Sequence, residues 1–533
     1  MSEAEIEAQT RPSAGKPSRI TAGESLRAGL QRYETLVHMF RAAVAEEPAN
    51  TAVICEHRRL SYAELGRAVT GLAEELESAN VRGGRVVVMM PNSIEMNAAV
   101  MAVMAAGAQV APVNPFLKPR ELESVLACVD AAVLIASPDL REKAEALARE
   151  LGVADVRVFG PSELERFTRD AALDRRTLPL PQADDLALLI FTGGSTGVPK
   201  GVDHSHRGLM QGVLLHASVW PLELGAERFL NVAPMFHIWG LAYATWVPIY
   251  ARGTLVMVPR YEPDKLVKAL GEHRITVFGG GPAPIYMGLL ASARVDETDF
   301  GALKYCLSGG APCPEELHRE WKARVGCALL EGWGMSEGAP FCLNTSEGPR
   351  KILSVGNPVP ETEIEIVDVE TGERVLPMGE PGEVRVKGPQ LMLRYRGNPA
   401  ETAQTLRDGW LYTGDIGYVD EDGFLFLVDR KKDMVIVGGY NVYPREVDEV
   451  LFKHPRVREA ATVGKPDSRL GEVLVAFVVL DAGEELTEAE FFGYCEEQMV
   501  KYKRPVEVHF VEDLPKTGTN KINRRALRER LRA

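Results

Sequence analysis

A glycine-rich segment, FTGGSTGVPKGV at residues 191–202, constrains this chain more than any other feature of its sequence. It follows the apolar run Leu186–Leu189, which predicts a buried strand. Glycine tolerates positive φ, so successive backbone N–H groups of such a segment can point at one anion. Its glycines, hydroxyl donors and basic group together predict a loop that wraps phosphate groups: Gly193, Gly194, Gly197, Thr192, Ser195, Thr196 and Lys200.

This loop differs from the common P-loop of nucleotide-binding proteins. In the P-loop a lysine directly follows a glycine and precedes Ser or Thr. Here Pro199 stands before Lys200, and Gly201 follows it. We therefore expect a different nucleotide chemistry.

Composition excludes several other classes of protein. At 533 residues the chain is too long for one hydrophobic core, so we expect two or more domains. A net charge of −14 argues against nucleic-acid binding. The seven cysteines are odd in number and lack paired CxxC spacing, which indicates reduced thiols rather than disulfides or a zinc site.

The beginning of the chain has no pattern of a secretory signal. Residues Met1–Ser18 lack an apolar core, and we predict a disordered leader over residues 1–22. The uncharged stretch Met96–Leu117 is rich in alanine and contains Gly107 and Pro112, so it predicts a buried helix that turns into a strand. We therefore expect no membrane span and a cytoplasmic protein.

The order of hydrophobic patterns predicts an α/β protein with two domains. Helical and strand patterns alternate over roughly the first 430 residues, and short alternating runs beyond Pro358 predict a β-rich subdomain. The charged stretch at residues 429–433 precedes an α+β pattern. We predict a large N-terminal domain of αβ layers at residues 23–430, a small mobile domain at residues 433–533, and a hinge near residues 431–433.

Four further segments suit nucleotide chemistry, although each has an ordinary structural explanation. EGWGMSE, residues 331–337, can present an aromatic ring to a base and Glu337 to Mg²⁺, or it is a surface turn. LYTGD, residues 411–415, places an acid after a Thr-Gly turn, where it binds ribose hydroxyls or caps its own backbone. VDRKKDMVIVGGYNVYPREVDEVL, residues 428–451, predicts a linker, a strand, a Gly-Gly turn and a helix. In LPKTGTNKINR, residues 514–524, Lys521 is either functional or an ordinary surface lysine.

In this order the segments resemble the ANL superfamily of adenylate-forming enzymes, from about residue 62 to Arg524. The chain looks most similar to bacterial AMP-forming CoA ligases for fatty and aromatic acids. Further matching pieces are MMPNS, PMFHIWG, SGGAPCP and YKRP, at residues 89–93, 234–240, 308–314 and 502–505. The resemblance implies that ATP and Mg²⁺ convert a carboxylic acid to acyl-AMP, which coenzyme A then converts to a thioester. It also allows a homodimer.

Carried over position by position, the resemblance implies roles for single residues in nucleotide binding. Thr192, Gly193, Gly194, Ser195, Thr196, Gly197 and Lys200 would wrap the β- and γ-phosphates. Adenine would be bound among Gly310, Ala311, Pro312, Glu331, Gly332 and Trp333, and Gly334 and Ser336 would also belong to the cofactor site. Thr196 and Glu337 would hold Mg²⁺, and Asp415 and Arg430 the ribose. Lys521 would reach the α-phosphate and the substrate carboxylate.

The resemblance also implies sites for the acid and for coenzyme A. His237 matches a position beside the acyl pocket, whose lining would include Trp239, Gly281, Gly309 and Met335. We expect the glycines at residues 279–281 to leave space there. Gly438, Gly439 and Tyr440 would line the pantetheine channel after the C-terminal domain turns about Lys432. Catalytic roles are thus implied for Lys521, Glu337 and His237.

The sequence leaves the acid and the thiol acceptor open. We expect a medium- or long-chain fatty acid, with aromatic or alicyclic acids as the alternative. The acyl-AMP could instead pass to a carrier protein, although no carrier module follows Ala533. A nucleotide sensor without catalysis is disfavoured because Glu337, Asp415, Arg430 and Lys521 occur together.

Overall fold

The computed structural model describes residues 16–22, 26–177, 179–192, 199–311, 313–516 and 522–531. The chain divides into two compact units. The unit that we call the N-terminal unit comprises Thr21–Glu363 and Lys387–Leu411, and the C-terminal unit comprises Met1–Ile20, Ile364–Val386 and Tyr412–Ala533. The boundary predicted at residues 431–433 lies inside the C-terminal unit, and a hinge there stays a prediction.

One sheet of the N-terminal unit contains the strands on either side of the glycine-rich segment. Its strands have the spatial order Arg394–Tyr395, Lys200–Ser205, Leu186–Thr192, Gln109–Pro112, Arg85–Met89, Val133–Ala136 and Asp155–Val158. The strands from Leu186–Thr192 onward are parallel, whereas Lys200–Ser205 is antiparallel to both of its neighbours. The inner parallel strands Gln109–Pro112, Arg85–Met89 and Val133–Ala136 are almost entirely buried, which explains their apolar runs, whereas the edge strand Asp155–Val158 is half-buried.

A second sheet of the N-terminal unit contains the EGWGMSE segment. Its strands have the spatial order Asn357–Pro358, Gly338–Leu343, Leu329–Met335, Tyr305–Gly309, Val277–Gly281, Arg228–Asn231, Thr254–Met257, Thr51–Cys55 and Arg58–Ser61. The strands from Leu329–Met335 to Thr51–Cys55 are parallel. Phe278, Tyr286 and Trp321 are buried in a core on one face of this sheet.

The helices of the N-terminal unit connect these strands. Ser61 and Glu64 form a capping box at the start of Tyr62–Ser78, and Ser93 caps the fully buried helix Ile94–Ala105. The other α-helices are Leu36–Glu46, Pro119–Leu126, Arg141–Leu151, Pro161–Arg169, His206–Val219, Ile238–Leu241, Val247–Tyr250, Pro263–Glu272, Ala283–Leu290, Glu315–Val325 and Pro399–Thr405. A π-helix, Ala242–Trp246, and the 3₁₀ turns Pro138–Leu140, Ala171–Arg175 and Val295–Glu297 lie between them.

The uncharged stretch that could be mistaken for a membrane span is a helix followed by a strand, as predicted. Helix Ile94–Ala105 is capped by Ala106, and strand Gln109–Pro112 follows. Within the part of the chain that the structure describes, no helix combines the length and apolar character that crossing a membrane requires.

The first part of the C-terminal unit is a β-rich sheet. Strands Arg19–Thr21, Glu363–Val367, Gly382–Lys387 and Trp410–Val419 lie in this order, and Leu425–Arg430 also pairs with Trp410–Val419. Strand Leu406–Arg407 pairs with Trp410 and Leu411, and these four residues belong to the N-terminal unit. The disordered leader predicted for residues 1–22 extends too far, because Arg19–Thr21 is a strand of this sheet.

The second part of the C-terminal unit is a small α+β fold. Its strands have the order Tyr440–Val442, Val435–Val437, Gly471–Leu480 and Val457–Asp467, and Glu507–Phe510 runs parallel to Gly471–Leu480. Helices Pro444–Phe452, Glu488–Gln498 and Arg524–Arg530 and the 3₁₀ turn Lys501–Lys503 accompany the sheet. The predicted fold class, an α/β protein with a β-rich part and a small α+β part, is confirmed.

Candidate active site

The glycine-rich segment connects two antiparallel strands of the N-terminal unit. Thr192 ends strand Leu186–Thr192 and lies directly opposite Lys200, the first residue of the return strand. Residues Gly193, Gly194, Ser195, Thr196 and Gly197 lie outside the described residues. The amino group of Lys200 forms an ion pair with Glu401 and lies 5.0 Å from the ring centroid of Tyr395. The described ends of the segment are therefore held together by strand pairing.

Glu337 is buried in the same unit and is held by a tyrosine. Its carboxylate Oε1 accepts a hydrogen bond of 2.6 Å from the hydroxyl of Tyr395. Its backbone oxygen accepts a further bond from the N–H of Met392 at 2.7 Å. Burial, and then the charge of Glu337, raise the pKa of Tyr395, so its phenol keeps its proton. Tyr395 thus contacts Glu337 with its hydroxyl and Lys200 with its ring.

The turn before Glu337 is supported by a buried histidine. Nε2 of His204 lies 2.7 Å from the backbone oxygen of Ser336. Burial lowers the pKa of His204, so the ring is neutral and its Nε2–H donates to this oxygen. The neighbouring Met335 ends strand Leu329–Met335 and is paired with Gly338 of the antiparallel strand.

The EGWG part of the motif is a buried strand, so its interpretation as a surface turn is wrong. The side chain of Glu331 is within 3.0 Å of Nε2 of His318 on helix Glu315–Val325. Trp333 packs edge-to-face on Phe341, with 5.1 Å between ring centroids. A Cβ on Gly332 would lie 2.6 Å from the side chain of Leu343, and a Cβ on Gly334 would lie 2.8 Å from that of Ala339. These two glycines are thus explained by close packing against the neighbouring strand.

Several glycines of the predicted acid site are covered by aromatic rings. A Cβ on Gly279 would lie 2.7 Å from the ring of Tyr243, and one on Gly309 would lie 2.8 Å from the ring of Trp239. Nε1 of Trp239 donates to the backbone oxygen of Gly279 at 3.1 Å. Gly281 also faces Trp239, at 3.8 Å. The prediction of open space is therefore wrong at Gly279 and Gly280, where the missing side chains accommodate aromatic neighbours, whereas a Cβ on Gly281 would make only ordinary contact.

The remaining predicted residues of the N-terminal unit lie at the ends of elements. His237 precedes the short helix Ile238–Leu241, and its ring packs against Phe236 with 4.9 Å between centroids. Gly310, with φ of +80°, and Ala311 follow strand Tyr305–Gly309. Pro312 lies outside the described residues. A cavity of about 10 Å³ borders Tyr243 and is lined by further apolar and aromatic side chains: His216, Trp220, Leu222, Val247, Val277, Tyr305 and Leu307.

In the C-terminal unit the two predicted ribose residues form one ion pair. Asp415 and Arg430 lie opposite each other on antiparallel strands, and Nε of Arg430 is 2.6 Å from Oδ1 of Asp415. The sequence of the LYTGD segment predicted a turn, but the segment lies inside strand Trp410–Val419. Gly414 accounts for the turn-like sequence, since it has a φ of +68° within that strand.

The predicted hinge residue lies in a turn between two ion pairs. Lys431 pairs with Glu383 at 2.8 Å, and Asp433 pairs with Arg528 at 2.8 Å. Burial lowers the pKa of Lys432 between them, an effect that the charge of Asp433 partly opposes. The charges of Lys431 and Asp433, which flank Lys432, are therefore both paired within the C-terminal unit.

The predicted pantetheine residues form a two-residue hairpin. Gly438 and Gly439, with φ of +58° and +87°, connect strands Val435–Val437 and Tyr440–Val442. Tyr440 is exposed and stacks on Tyr502, with 4.6 Å between ring centroids. A Cβ on Gly439 would have no atom of the described residues within 4 Å. As far as the described residues go, the tip of this hairpin therefore leaves room for a side chain at Gly439.

Lys521 lies outside the described residues, but both flanks of its loop are described. Lys516 and Ile522 form an antiparallel bridge, and the N–H of Asn523 donates to Pro515 O at 2.7 Å. Asn523 caps helix Arg524–Arg530, whose Arg524 pairs with buried Asp448 at 2.5 Å. Burial raises the pKa of Asp448 to about 6, even though the nearby charge of Arg524 acts to lower it. The base of the loop is thus fixed to the sheet.

Sequence reasoning missed three residues that the fold brings to the predicted site. Tyr395 contacts Glu337 from 58 positions away, and Glu401 pairs with Lys200 from 201 positions away. His204 supports Ser336 from 132 positions away. A local sequence signal existed only for the segment that carries Tyr395 and Glu401, where Asn398 and Pro399 predict a helix start.

Two protein-family models and several known proteins match the chain over these residues. The family model described as AMP-binding enzyme matches residues 40–396, and the model described as AMP-binding enzyme C-terminal domain matches residues 446–521. A long-chain-fatty-acid–CoA ligase of Bacillus subtilis (strain 168) is 34% identical over 93% of this chain and 94% of its own length. A feruloyl-CoA synthase of Amycolatopsis is 37% identical over 91% of this chain and 96% of its own length.

Solved structures agree with these sequence matches. ATP-bound MatB from Rhodopseudomonas palustris has a TM-score of 0.86 and 32% identity, and the match covers 93% of this chain and 98% of that one. The anthranilate CoA ligase AuaEII in complex with anthranoyl-AMP has a TM-score of 0.86 and 28% identity, and the match covers 94% of this chain and 98% of that one.

Proposed function

The chain belongs to the AMP-binding enzyme family, within the ANL superfamily of adenylate-forming enzymes, and from this premise we propose that it converts a medium- or long-chain fatty acid to its CoA thioester. AMP-forming acyl-CoA ligase activity follows from the family and from the relatives. The acid and the roles of individual residues are our proposal.

The observation that carries the residue assignment is the double contact of Tyr395. Its hydroxyl bonds to Glu337, the proposed magnesium ligand, and its ring lies against Lys200, which ends the proposed phosphate loop. Two motifs that are far apart in the sequence therefore meet at one side chain. This is the arrangement expected if both act on one magnesium-bound triphosphate.

The residues present fit a magnesium ion that arrives with the nucleotide. Among the described residues no group of three or more His, Cys, Asp or Glu could hold a metal ion by itself. Mg²⁺ commonly takes one or two carboxylates together with phosphate oxygens and water. Glu337 is a buried carboxylate of that kind. When bound, the ion would neutralise charge on the phosphate oxygens, as Lys200 and the loop amides would also do.

The proposed reaction has two steps and needs no side-chain nucleophile. A carboxylate oxygen attacks the α-phosphorus of ATP, and pyrophosphate leaves. Lys521 would stabilise the charge that develops between these two anions. The sulfur of CoA then attacks the acyl carbon, and AMP leaves with the oxygen that joined it to the acyl group. Asp415 and Arg430 would hold the ribose in both steps, and Gly438–Tyr440 would border the pantetheine in the second.

An aromatic acid is the second candidate, and the aromatic side chains around residues 279–309 favour it. Trp239 and Tyr243 fill the space over Gly279 and Gly309, and flat rings pack well on such surfaces. The 37% identity to a feruloyl-CoA synthase supports the same alternative.

A panel of acids distinguishes these candidates. CoA-dependent AMP release should be measured with acetate, hexanoate, octanoate, palmitate and ferulate. We expect kcat/KM for octanoate or palmitate to exceed that for acetate by at least about 10³-fold, because each buried CH₂ contributes about 0.8 kcal/mol. A value for ferulate above every fatty acid would replace the first candidate by the second. Acetate as the best substrate would contradict both.

A further inference from the structure

We propose that Tyr395 is a positioning residue for adenylate formation, because its hydroxyl fixes the carboxylate of Glu337 for magnesium. The inference rests on the proposed function, which assigns Glu337 to the metal. Tyr395 itself contacts neither nucleotide nor acid in this proposal; it acts through Glu337.

The first argument is the state of the hydrogen bond between the two side chains. The 2.6 Å distance joins the Tyr395 hydroxyl to Oε1 of Glu337, and Tyr395 is only 5% exposed. A phenol hydroxyl can donate a proton to a carboxylate, which only accepts, so Tyr395 is the donor and Glu337 the acceptor. A donor on one carboxylate oxygen fixes the orientation of the whole group. Such partners of ligating carboxylates tune metal affinity in proteins.

The second argument is that the backbone of Tyr395 is held on both sides. Strand Arg394–Tyr395 pairs with strand Lys200–Ser205, where Tyr395 lies opposite Val202. Its backbone N–H also donates to Oγ1 of Thr402 at 3.0 Å. A tyrosine fixed in this way can impose its position on a partner, whereas a loosely held side chain would follow it.

The third argument is a pair of arginines on either side of Tyr395. Arg394 and Arg396 place their Nε atoms 2.9 and 3.0 Å from fully buried Asp203, on the strand that leaves the phosphate loop. Arg396 also donates to Gln109 at 3.1 Å. Removing one partner from a buried ion pair leaves an uncompensated charge, so this cluster strongly favours one register of the two strands. The same register brings the Tyr395 ring to Lys200.

The test is Tyr395→Phe, which removes the hydroxyl and keeps the ring beside Lys200. The first measurement is binding of Mn²⁺ with α,β-methylene-ATP, followed by electron paramagnetic resonance, since this readout needs no turnover. We expect metal affinity in this complex to fall about 10–100-fold, the range for loss of a hydrogen bond to a ligating group. Binding of α,β-methylene-ATP without metal should be unchanged. The Mg²⁺ concentration required for ATP–pyrophosphate exchange should rise in parallel.

Two controls separate positioning from structural support. Tyr261→Phe removes a hydroxyl that donates to a backbone oxygen, Ile285 O at 3.0 Å, and should leave metal binding unchanged. In a Glu337→Gln background, Tyr395→Phe should add no further loss of Mn²⁺ affinity, because both changes remove the same carboxylate function.

Three results would overturn the inference. Wild-type metal affinity in Tyr395→Phe would do so, even if the melting temperature falls. An equal effect of Tyr395→Phe in the wild-type and Glu337→Gln backgrounds would also do so. Absence of Mg²⁺-dependent pyrophosphate exchange in the wild-type enzyme would instead contradict the proposed function, and the positioning role with it.

Discussion

Replacement of Lys521 by alanine should slow acyl-adenylate formation by about 10²–10³-fold, the loss expected for one preorganised electrostatic donor. The lysine is proposed to act on the α-phosphate and the carboxylate, so its charge matters only while these anions react. Supplied with acyl-AMP and CoA, the same variant should form thioester at nearly the wild-type rate. The first half-reaction is measured by ATP–pyrophosphate exchange and the second by thioester release, on one preparation.

Lys516→Ala is the matched control for this experiment. Lys516 precedes the same loop, but its amino group pairs with Glu459 at 3.0 Å, so its role is structural. Its replacement should affect both half-reactions weakly and equally. A Lys521→Ala enzyme impaired in both half-reactions would contradict the assignment of this lysine to the first step. An enzyme impaired in neither would make Lys521 an ordinary surface lysine.

Replacement of Gly439 by leucine should have the opposite effect. The tip of the Gly438–Gly439 hairpin is proposed to border pantetheine, and the described residues leave free space for a side chain there. A leucine should therefore meet the CoA thiol arm rather than the protein. We expect thioester formation from acyl-AMP to fall by about 10²-fold, the scale of a small misplacement of reacting atoms, while pyrophosphate exchange is retained.

The positive φ of Gly439 requires its own control, because leucine is strained at +87° whatever it contacts. Gly483 has a φ of +85°, and a Cβ added to it would likewise have no atom of the described residues within 4 Å. Gly483→Leu should match Gly439→Leu in loss of thermal stability but retain thioester formation. Equal loss of thioester formation in both variants would indicate backbone strain and remove the pantetheine role.

The sequence predicted the elements well where the signal is local. The buried helix and following strand predicted within residues 96–117 are observed as Ile94–Ala105 and Gln109–Pro112. In such segments the periodicity of apolar side chains and the capping residues act over a few positions. The strand that leads into the glycine-rich loop was also predictable from its apolar run, whereas the return strand Lys200–Ser205 was not predicted.

The interpretation of glycines was less successful. A position can require glycine for several structural reasons, and the sequence does not distinguish them. Gly332 and Gly334 were expected to let a nucleotide approach, but they admit side chains of the neighbouring strand. Gly279 and Gly280 were expected to leave space in the acid pocket, but a Cβ on either would lie within 2.8 Å of an aromatic ring. The size of the acid site therefore depends on tertiary packing, which no local pattern contains.

Long-range partners of the site could not be predicted at all. Tyr395 reaches Glu337 because its segment pairs with two distant parts of the chain, strand Lys200–Ser205 and the backbone at Glu337 and Gly338. No local sequence pattern at Tyr395 or Glu337 predicts the hydrogen bond between them. The proposed metal-binding role of Glu337 could therefore be inferred from its motif, but its hydrogen-bond partner Tyr395 could not.

The most direct test of the central claim, an acyl-adenylate intermediate followed by a CoA thioester, follows one oxygen atom. Wild-type enzyme is supplied with ATP, Mg²⁺, CoA and octanoate that carries ¹⁸O in both carboxylate positions, and the products are analysed by mass spectrometry. Because a carboxylate oxygen bridges the acyl carbon and the α-phosphorus, AMP should contain one ¹⁸O atom and pyrophosphate none. Octanoyl-CoA should form in an amount equal to AMP. Label in pyrophosphate or inorganic phosphate, or thioester formed with unlabelled AMP, would contradict the account.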